Sequence, residues 1–185
     1  MIQHLVFFLE EPSAKDTLMG LLPKLLPEDL KTHYLVFEGK QDLEKQMVRR
    51  MRGWLLPDSR FVVMRDQDSG DCHVIKRALA QRCVEAGRPD AMVRIACREL
   101  ETFFVGDWAA VATAYGRPAL ARLARKASYR QPDALGSPFA ELRRHIPEYQ
   151  KRDGARRISP HLSVVQNASA SFRALLAGVT RVCQP

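Results

Sequence analysis

Acidic side chains follow several apolar runs of the chain, and carboxylates in that position are suited to binding a hard metal ion. Glu10 and Glu11 follow one such run, and Asp66 and Asp68 follow another. Carboxylate oxygens are the ligands that Mg²⁺ and Mn²⁺ prefer. A pair of such ions holds both the attacking and the leaving oxygen in phosphodiester hydrolysis. These acids are therefore candidates for the centre of a metal-dependent hydrolase.

The elements that must position these acids are four apolar runs at similar intervals. They are HLVFFL (4–9), HYLVF (33–37), RFVVM (60–64) and MVRIA (92–96). Their continuous hydrophobicity and their β-branched and aromatic residues are typical of strands covered on both faces. Stretches with helical spacing separate them, so each unit has the length of a βαβ crossover. The pattern predicts an α/β fold with an open, mainly parallel four-stranded sheet flanked by helices.

After residue 97 the strand pattern ends and the remaining segments have helical character. We therefore predict an α/β domain over 1–116 and a basic helical extension over 117–185, packed on the same domain. Near the start of the chain, Ser13 with Asp16 three residues later resembles a capping box, which predicts the beginning of the first helix.

If the strands are parallel, their carboxyl ends converge on one rim, where open α/β sheets bind ligands. Two carboxylates about 5 Å apart repel by roughly 3 kcal/mol at an effective dielectric near 20, so the rim needs a positive charge. A divalent cation is the simplest source. In an extended segment Asp66 and Asp68 point the same way and reach one ion. The acids expected at the metal are Glu10, Asp66, Asp68, Glu99 and Glu101.

Each of these acids also has a structural interpretation. An Asp-x-Asp pair after a strand is often a solvated turn with local hydrogen bonds. Glu99 and Glu101 sit where a helix begins, where acids are favoured in any case. If that segment is helical, positions two apart diverge by about 200°, and only one of the two faces the site. Glu38, before a glycine, fits a turn.

The order of these acids resembles the Toprim domain, the metal-binding α/β module of topoisomerases, primases and some nucleases. That module has a glutamate after its first strand and an Asp-x-Asp after its third, here Glu10 in VFFLEEPS and Asp66 with Asp68 in VVMRDQDSG. The resemblance implies that Glu10 binds metal or transfers a proton, and that both aspartates are metal ligands. The Toprim glutamate is usually followed by glycine, whereas this chain has Glu11, which shares or takes over the role.

Longer stretches are similar to a bacterial family of unknown function, numbered 4276 and regarded as Toprim-like. They are FLEEPSAKDTLMGLLPKLLP, FEGKQDLEKQM, VVMRDQDSGDC, RIACRELETFFVGD and GARRISPHLSVVQNASASFRALL. The similarity covers nearly the whole chain but names no activity. It implies a further acidic pair in Glu99 and Glu101, and an association with partner ATPases in anti-phage defence.

The composition predicts a folded cytoplasmic protein. Hydrophobic residues make up 46% of the chain and charged residues 27%, which excludes the disordered class. The apolar runs are shorter than the roughly 18 residues of a spanning helix, and the N-terminus lacks a basic region before its apolar run. From these short runs we expect no membrane contact. The four cysteines form no C-x-x-C pair, so we expect free thiols and no zinc site.

The basic charge is concentrated in the last third of the chain. Residues 1–116 hold 16 Lys and Arg against 17 Asp and Glu, or −1, whereas residues 117–185 hold 13 against 4, or +9. A cluster near residue 154 is the candidate for contact with a nucleic-acid phosphate backbone. Its members are Lys151, Arg152, Arg156, Arg157 and His161. A solvated basic face is the alternative, and His161 also fits a packing role.

Three functions remain compatible with the sequence. The first is Mg²⁺- or Mn²⁺-dependent cleavage or nicking of DNA or RNA, with Glu10, Asp66 and Asp68 as catalytic residues. The second is a non-catalytic or conditionally active subunit that binds a partner ATPase, since the chain has no P-loop. The third, hydrolysis of small phosphate esters, uses similar acids, but the basic segment disfavours it.

Overall fold

The chain forms one open sheet of four parallel strands, as the apolar runs predict. The computed structural model describes residues 2–184. The strands are β1 (His4–Leu9), β2 (Lys31–Val36), β3 (Ser59–Asp66) and β4 (Met92–Ala96). They pair in the order β2-β1-β3-β4, and every neighbouring pair is parallel. The predicted α/β fold with an open parallel sheet is therefore confirmed.

Helices fill the connections and the last third of the chain. The α-helices are α1 (Pro12–Leu21), α2 (Lys40–Arg52), α3 (Cys72–Glu85), α4 (Thr102–Val105), α5 (Trp108–Ala114), α6 (Pro138–His145), α7 (Lys151–Ile158) and α8 (Ala170–Cys183). The 3₁₀ helices are Leu22–Lys24, Pro118–Arg125, Ala127–Tyr129, Pro132–Ala134 and Ser159–His161. Over residues 2–184, every helix is too short or too polar to span a bilayer.

Both faces of the sheet are covered, which explains the absence of polar alternation in its strands. Leu5 and Phe7 of β1 pack into a core shared with α1 and the C-terminal helices. Val6 and Phe8 pack against α2 and α3 on the opposite face. Helix α7 packs against α1, and α8 packs against β4. The C-terminal helices thus lie on the α1 face, while a boundary after residue 116 stays a prediction.

Helix α1 begins earlier than the sequence predicts. The expected capping box is wrong, because Glu11 is the N-cap residue, Pro12 occupies the first turn and Ser13 already lies inside the helix. Proline suits this position, since its fixed φ is helical and its missing N–H is not needed there. Asp16 instead pairs with arginines of α7. Consequently α1 starts directly beside the acids that follow β1.

Candidate functional site at the carboxyl ends of β1 and β3

The acids that follow β1 and β3 meet at one edge of the sheet. The chain leaves β1 toward β2 on one side, whereas β3 and β4 lie on the other, so the strand order reverses between β1 and β3. Ligands of open α/β sheets bind outside the strand ends at such a point. The Asp66 N–H donates to Glu10 Oε2 at 3.0 Å, which joins the two strand ends directly.

Strand register divides these acids between the two faces of the sheet. Leu9 lies beside Met64, so the next positions place Glu10 beside Arg65 and Glu11 beside Asp66. Residues side by side in a parallel pair point to the same face, and successive residues point to opposite faces. Glu10 therefore shares the α2 face with Arg65, whereas Glu11 shares the α1 face with Asp66.

On the α2 face, a buried arginine holds three carboxylates; we call this group the Arg65 network. Arg65 is 5% exposed, and its guanidinium lies 2.7 Å from Glu44 Oε1, 3.7 Å from Glu10 Oε2 and 3.7 Å from Asp68 Oδ2. Lys40 Nζ lies 2.8 Å from the same oxygen of Asp68. Burial raises the pKa of Glu10, although the Asp66 N–H and Arg65 partly offset it. Positive charge is thus already present here.

The sequence pattern predicts that Asp66 and Asp68 point the same way, but Asp68 does not lie on the α1 face with Asp66. Strand β3 ends at Asp66, and the backbone of Asp68 has φ 54°, in the left-handed region. The alternation of an extended chain therefore stops between the two residues. The carboxylate of Asp68 binds Lys40 and Arg65, whereas that of Asp66 faces a different set of side chains.

On the α1 face lies a second group, which we call the Asp66 cluster: Asp66, Glu11, Glu101, Tyr149 and Lys151. Lys151 Nζ lies 3.2 Å from Glu11 Oε2 and is the cation of the cluster. The Tyr149 hydroxyl donates to Glu101 Oε1 at 3.1 Å. Among residues 2–184, the buried Oε2 of Glu101 has no hydrogen-bond partner, and no hydrogen bond reaches the carboxylate of Asp66.

The cluster favours protonated carboxyl groups in this arrangement. Burial, followed by the charges of Glu11 and Glu101, raises the pKa of Asp66 well above its usual range. Burial also raises the pKa of Glu101 to about 7, although Lys151 opposes the shift. Lys151 itself has a raised pKa, because the surrounding carboxylates outweigh its burial. Further positive charge placed beside Asp66 and Glu101 would favour their ionised forms.

Of the two acids after β4, only one reaches the cluster. Glu99 points to the start of α6, where its carboxylate accepts hydrogen bonds from Ser137 Oγ at 3.2 Å and from the Phe139 N–H at 2.7 Å. Glu101 is fully buried beside Tyr149. Glu101 precedes α4 with helical dihedral angles, so the two side chains diverge as the helical alternative predicts. Glu38 lies in the turn before α2.

The donor chemistry of the Asp66 cluster fits a hard cation, although its arrangement is closed. Its oxygen-only ligands suit Mg²⁺ or Mn²⁺, and Glu101 Oε2 is an unused acceptor. Over residues 2–184, no three acidic, histidine or cysteine side chains already converge as a metal site. Lys151 and Arg65 supply the charge that the sequence analysis assigned to a cation. Metal binding therefore requires the pair between Glu11 and Lys151 to open.

The basic residues of α7 also have acidic partners. Arg152 and Arg156 lie on one side of the helix, as predicted, and both contact the carboxylate of Asp16, at 2.8 Å and 3.3 Å. Arg157 pairs with Asp153 at 2.8 Å. His161 is exposed at the end of the 3₁₀ helix that follows α7. These side chains keep solvent contact, but most of their charge is balanced within the chain.

Four residues of the site were missed from the sequence: Arg65, Lys40, Glu44 and Tyr149. A signal existed only for Arg65, which is a single charged residue at the end of an apolar run, where a buried partner is required. Lys40 and Tyr149 lie in segments of ordinary composition. Their roles depend on contacts distant in sequence, such as the 48 residues that separate Tyr149 from Glu101.

The raised pKa of Glu101 predicts a pH-dependent stability. The folded protein keeps a proton that the unfolded chain loses above about pH 4.5, so this contribution is complete below that pH and is lost as the pH rises to about 7. Glutamine retains an acceptor for Tyr149 but cannot ionise. In Glu101→Gln we therefore expect the free energy of unfolding to fall by about 2–3 kcal/mol less, between pH 4 and pH 8, than in the unchanged protein. Urea unfolding from pH 4 to pH 8 measures it, with the exposed Glu28→Gln as control. Equal pH slopes for Glu101→Gln and the unchanged protein would contradict the assignment.

Comparison with known proteins yields one match. A family model described as a domain of unknown function, DUF4276, matches residues 9–180. No curated protein and no solved structure matches the chain. The match spans β1 to α8 and so includes every residue of the Asp66 cluster and the Arg65 network.

Proposed function

We propose, for a chain that belongs to the DUF4276 family of domains of unknown function, that the Asp66 cluster serves Mg²⁺- or Mn²⁺-dependent cleavage or nicking of a nucleic acid. The family description names no activity, so the proposal depends on the geometry of the site. Its Toprim-like character belongs to the same proposal, because glutamates follow β1 and an Asp-x-Asp follows β3. A cytoplasmic location fits the four free cysteines.

One observation carries the proposal: the buried carboxylates of Asp66 and Glu101 both lie within reach of the charge of Lys151, and the charge of Glu101 adds to the pKa shift of Asp66. Asp66 and Glu101 have raised pKa values, and Glu101 has an oxygen without a partner in the described chain. Buried groups with strongly shifted pKa values are concentrated at functional sites. Asp66, Glu101 and Glu11 are the residues that would hold a metal. When bound, it would stabilise the developing charge on phosphate oxygens.

The remaining charged residues have supporting roles in this proposal. Glu10 and Asp68, which the Toprim resemblance assigns to the metal, are held by Arg65 and fix the ends of β1 and β3. Lys151 keeps the cluster folded, and its ammonium is placed to contact a substrate phosphate when Glu11 turns to the metal. The ion pairs of Arg152 and Arg156 with Asp16 hold α7, which carries Lys151, on α1.

A conditionally active subunit is the second candidate, and the closed cluster favours it. Lys151 neutralises Glu11, and Asp16 binds both arginines on the face of α7 that was predicted to bind phosphate. A partner ATPase that pulled α7 from α1 would release all of these groups at once. Such a subunit fits a role in anti-phage defence. Purification from the native host without any associated ATPase leaves this candidate unsupported.

Cleavage assays with the purified chain test the first proposal. We expect nicking of supercoiled DNA, or cleavage of single-stranded RNA, with Mg²⁺ or Mn²⁺ and none with EDTA. Glu11→Gln removes a proposed ligand and is expected to slow the reaction about 10- to 100-fold. Glu38→Gln, at the same edge but outside both groups, serves as the matched control and should retain the full rate. Metal-independent cleavage, or equal rates for both variants, would refute the proposal.

A further inference from the structure

We propose that the 3₁₀ helix Pro118–Arg125 and the turn after it bind the phosphodiester backbone of a nucleic acid. We call this surface the arginine ridge; it consists of Arg122, Arg125, Lys126 and Arg130. The inference rests on the proposed function, for which it supplies the substrate-binding surface. It replaces α7 as the main candidate for that surface.

The ridge lies in a long part of the chain without an acid. Residues 108–132 contain no Asp or Glu and five basic residues. The four members of the ridge are exposed, and none forms an ion pair with residues 2–184. The arginines of α7, by contrast, are paired with Asp16 or Asp153. Unpaired cations release more counterions from a bound polyanion, so the ridge has the greater capacity for phosphate.

The helix geometry aligns the two arginines of this segment. A 3₁₀ helix has three residues per turn, so Arg122 and Arg125 lie on one line with a rise of about 6 Å between them. This spacing suits nearby phosphates of one strand, which follow each other every 3.4 Å or so along the axis. Leu120 and Leu123 pack against the core on the opposite side, and the helix packs on α5. The arginines are therefore presented by a fixed support.

The length of this element also points to a role. The residues after position 97 have helical character in the sequence, and PALARLAR among them forms eight residues of 3₁₀ helix. Runs beyond three or four residues are uncommon and often mark functional segments. A regular α-helix would rotate Arg125 by 300° from Arg122 instead of a full turn. The 3₁₀ helix thus places the two residues on one line, whereas an α-helix would offset them by about 60°.

The ridge adjoins the Asp66 cluster through a short series of contacts. Arg117, the residue before the helix, pairs with Glu148. The next residue, Tyr149, donates to Glu101 inside the cluster. These contacts place the segment that carries the ridge near the proposed cleavage site. A lipid surface fits poorly, because none of the large exposed apolar side chains lies between residues 117 and 130.

Binding measured in EDTA separates this inference from cleavage. Fluorescence anisotropy would follow short labelled duplex DNA, single-stranded DNA and single-stranded RNA from about 50 to about 200 mM NaCl. The ridge variant carries Arg122→Gln, Arg125→Gln, Lys126→Gln and Arg130→Gln. The control variant carries Lys45→Gln, Arg49→Gln, Lys76→Gln and Arg77→Gln. The control makes the same change in net charge on exposed positions of α2 and α3.

We expect the ridge variant to bind at least one of the three probes about 10-fold or more weakly than the control variant. Its salt dependence should be shallower by about 0.9 in logarithmic slope for each lost contact with duplex DNA. Equal losses in both variants, no binding by the unchanged protein, or binding only to phosphatidylglycerol vesicles would overturn the inference. The expected weaker binding by the ridge variant, together with no metal-dependent cleavage by the unchanged protein, would instead count against the proposed function alone.

Discussion

Replacing Asp66 with asparagine is expected to stabilise the fold and to abolish metal-dependent cleavage. Burial and neighbouring acids raise the pKa of Asp66 well above its usual range, so its ionised form destabilises the folded protein near neutral pH. Asparagine has nearly the same shape and no charge. We expect a gain of about 1 kcal/mol in the free energy of unfolding at pH 7, the size typical of relieving a strained functional site.

The loss of activity should be larger than the gain in stability. If Asp66 holds the metal, the neutral amide should reduce the cleavage rate by about 100-fold or more. Urea unfolding and nicking of supercoiled DNA measure the two effects on the same preparation. Asp29→Asn, at an exposed position, is the matched control and should change neither quantity. A less stable Asp66→Asn protein would show that the carboxylate is a structural group.

Replacing Arg65 with methionine is expected to have the largest effect on folding. Arg65 is 5% exposed and lies between the carboxylates of Glu10, Glu44 and Asp68. Removing one side of a buried ion pair leaves the other without compensation, which costs about 3–5 kcal/mol. Because Glu44 and Asp68 keep contact with solvent, we expect Arg65→Met to lower the free energy of unfolding by about 3 kcal/mol, at the lower end of that range.

The pH dependence distinguishes lost charge pairing from lost packing. Burial raises the pKa of Glu10, and its protonation removes one of the charges left without a partner, so the destabilisation by Arg65→Met should be smaller at pH 5 than at pH 8. Arg60→Met on the same strand is the matched control, since Arg60 is 46% exposed and pairs with Asp90 at the surface. Its effect should stay below about 1 kcal/mol. Equal destabilisation at both pH values would contradict the electrostatic role of Arg65.

The sheet could be predicted from the sequence because its signal is local. Each apolar run lies within a few residues of the strand it forms; the run at 60–64 became Ser59–Asp66. The register between neighbouring strands has no such local signal in the sequence. A shift of one residue moves every side chain to the opposite face, and the sequence does not fix the alignment of β1 with β3. For this reason the choice between Glu10 and Glu11 as neighbour of Asp66 needed the structure.

The charge partners of the site could not be predicted for a related reason. The acids follow their strands directly, whereas 140 residues separate Lys151 from Glu11. A net charge shows that cations are in excess in the last third of the chain but not which of them are paired. The sequence pattern assigns Asp16 to a helix cap, whereas in the structure it binds Arg152 and Arg156. Pairing is a property of the packed helices and appears only when α7 lies on α1.

The late position of Lys151 and Tyr149 in the chain affects how the protein matures on the ribosome. The acids through Glu101 leave the exit tunnel first, and the partners that complete their surroundings follow only with α7. Until then the nascent polypeptide carries Glu11, Asp66 and Glu101 without Lys151, the cation of their cluster. The surroundings of the Asp66 cluster are therefore complete only after translation has passed α7.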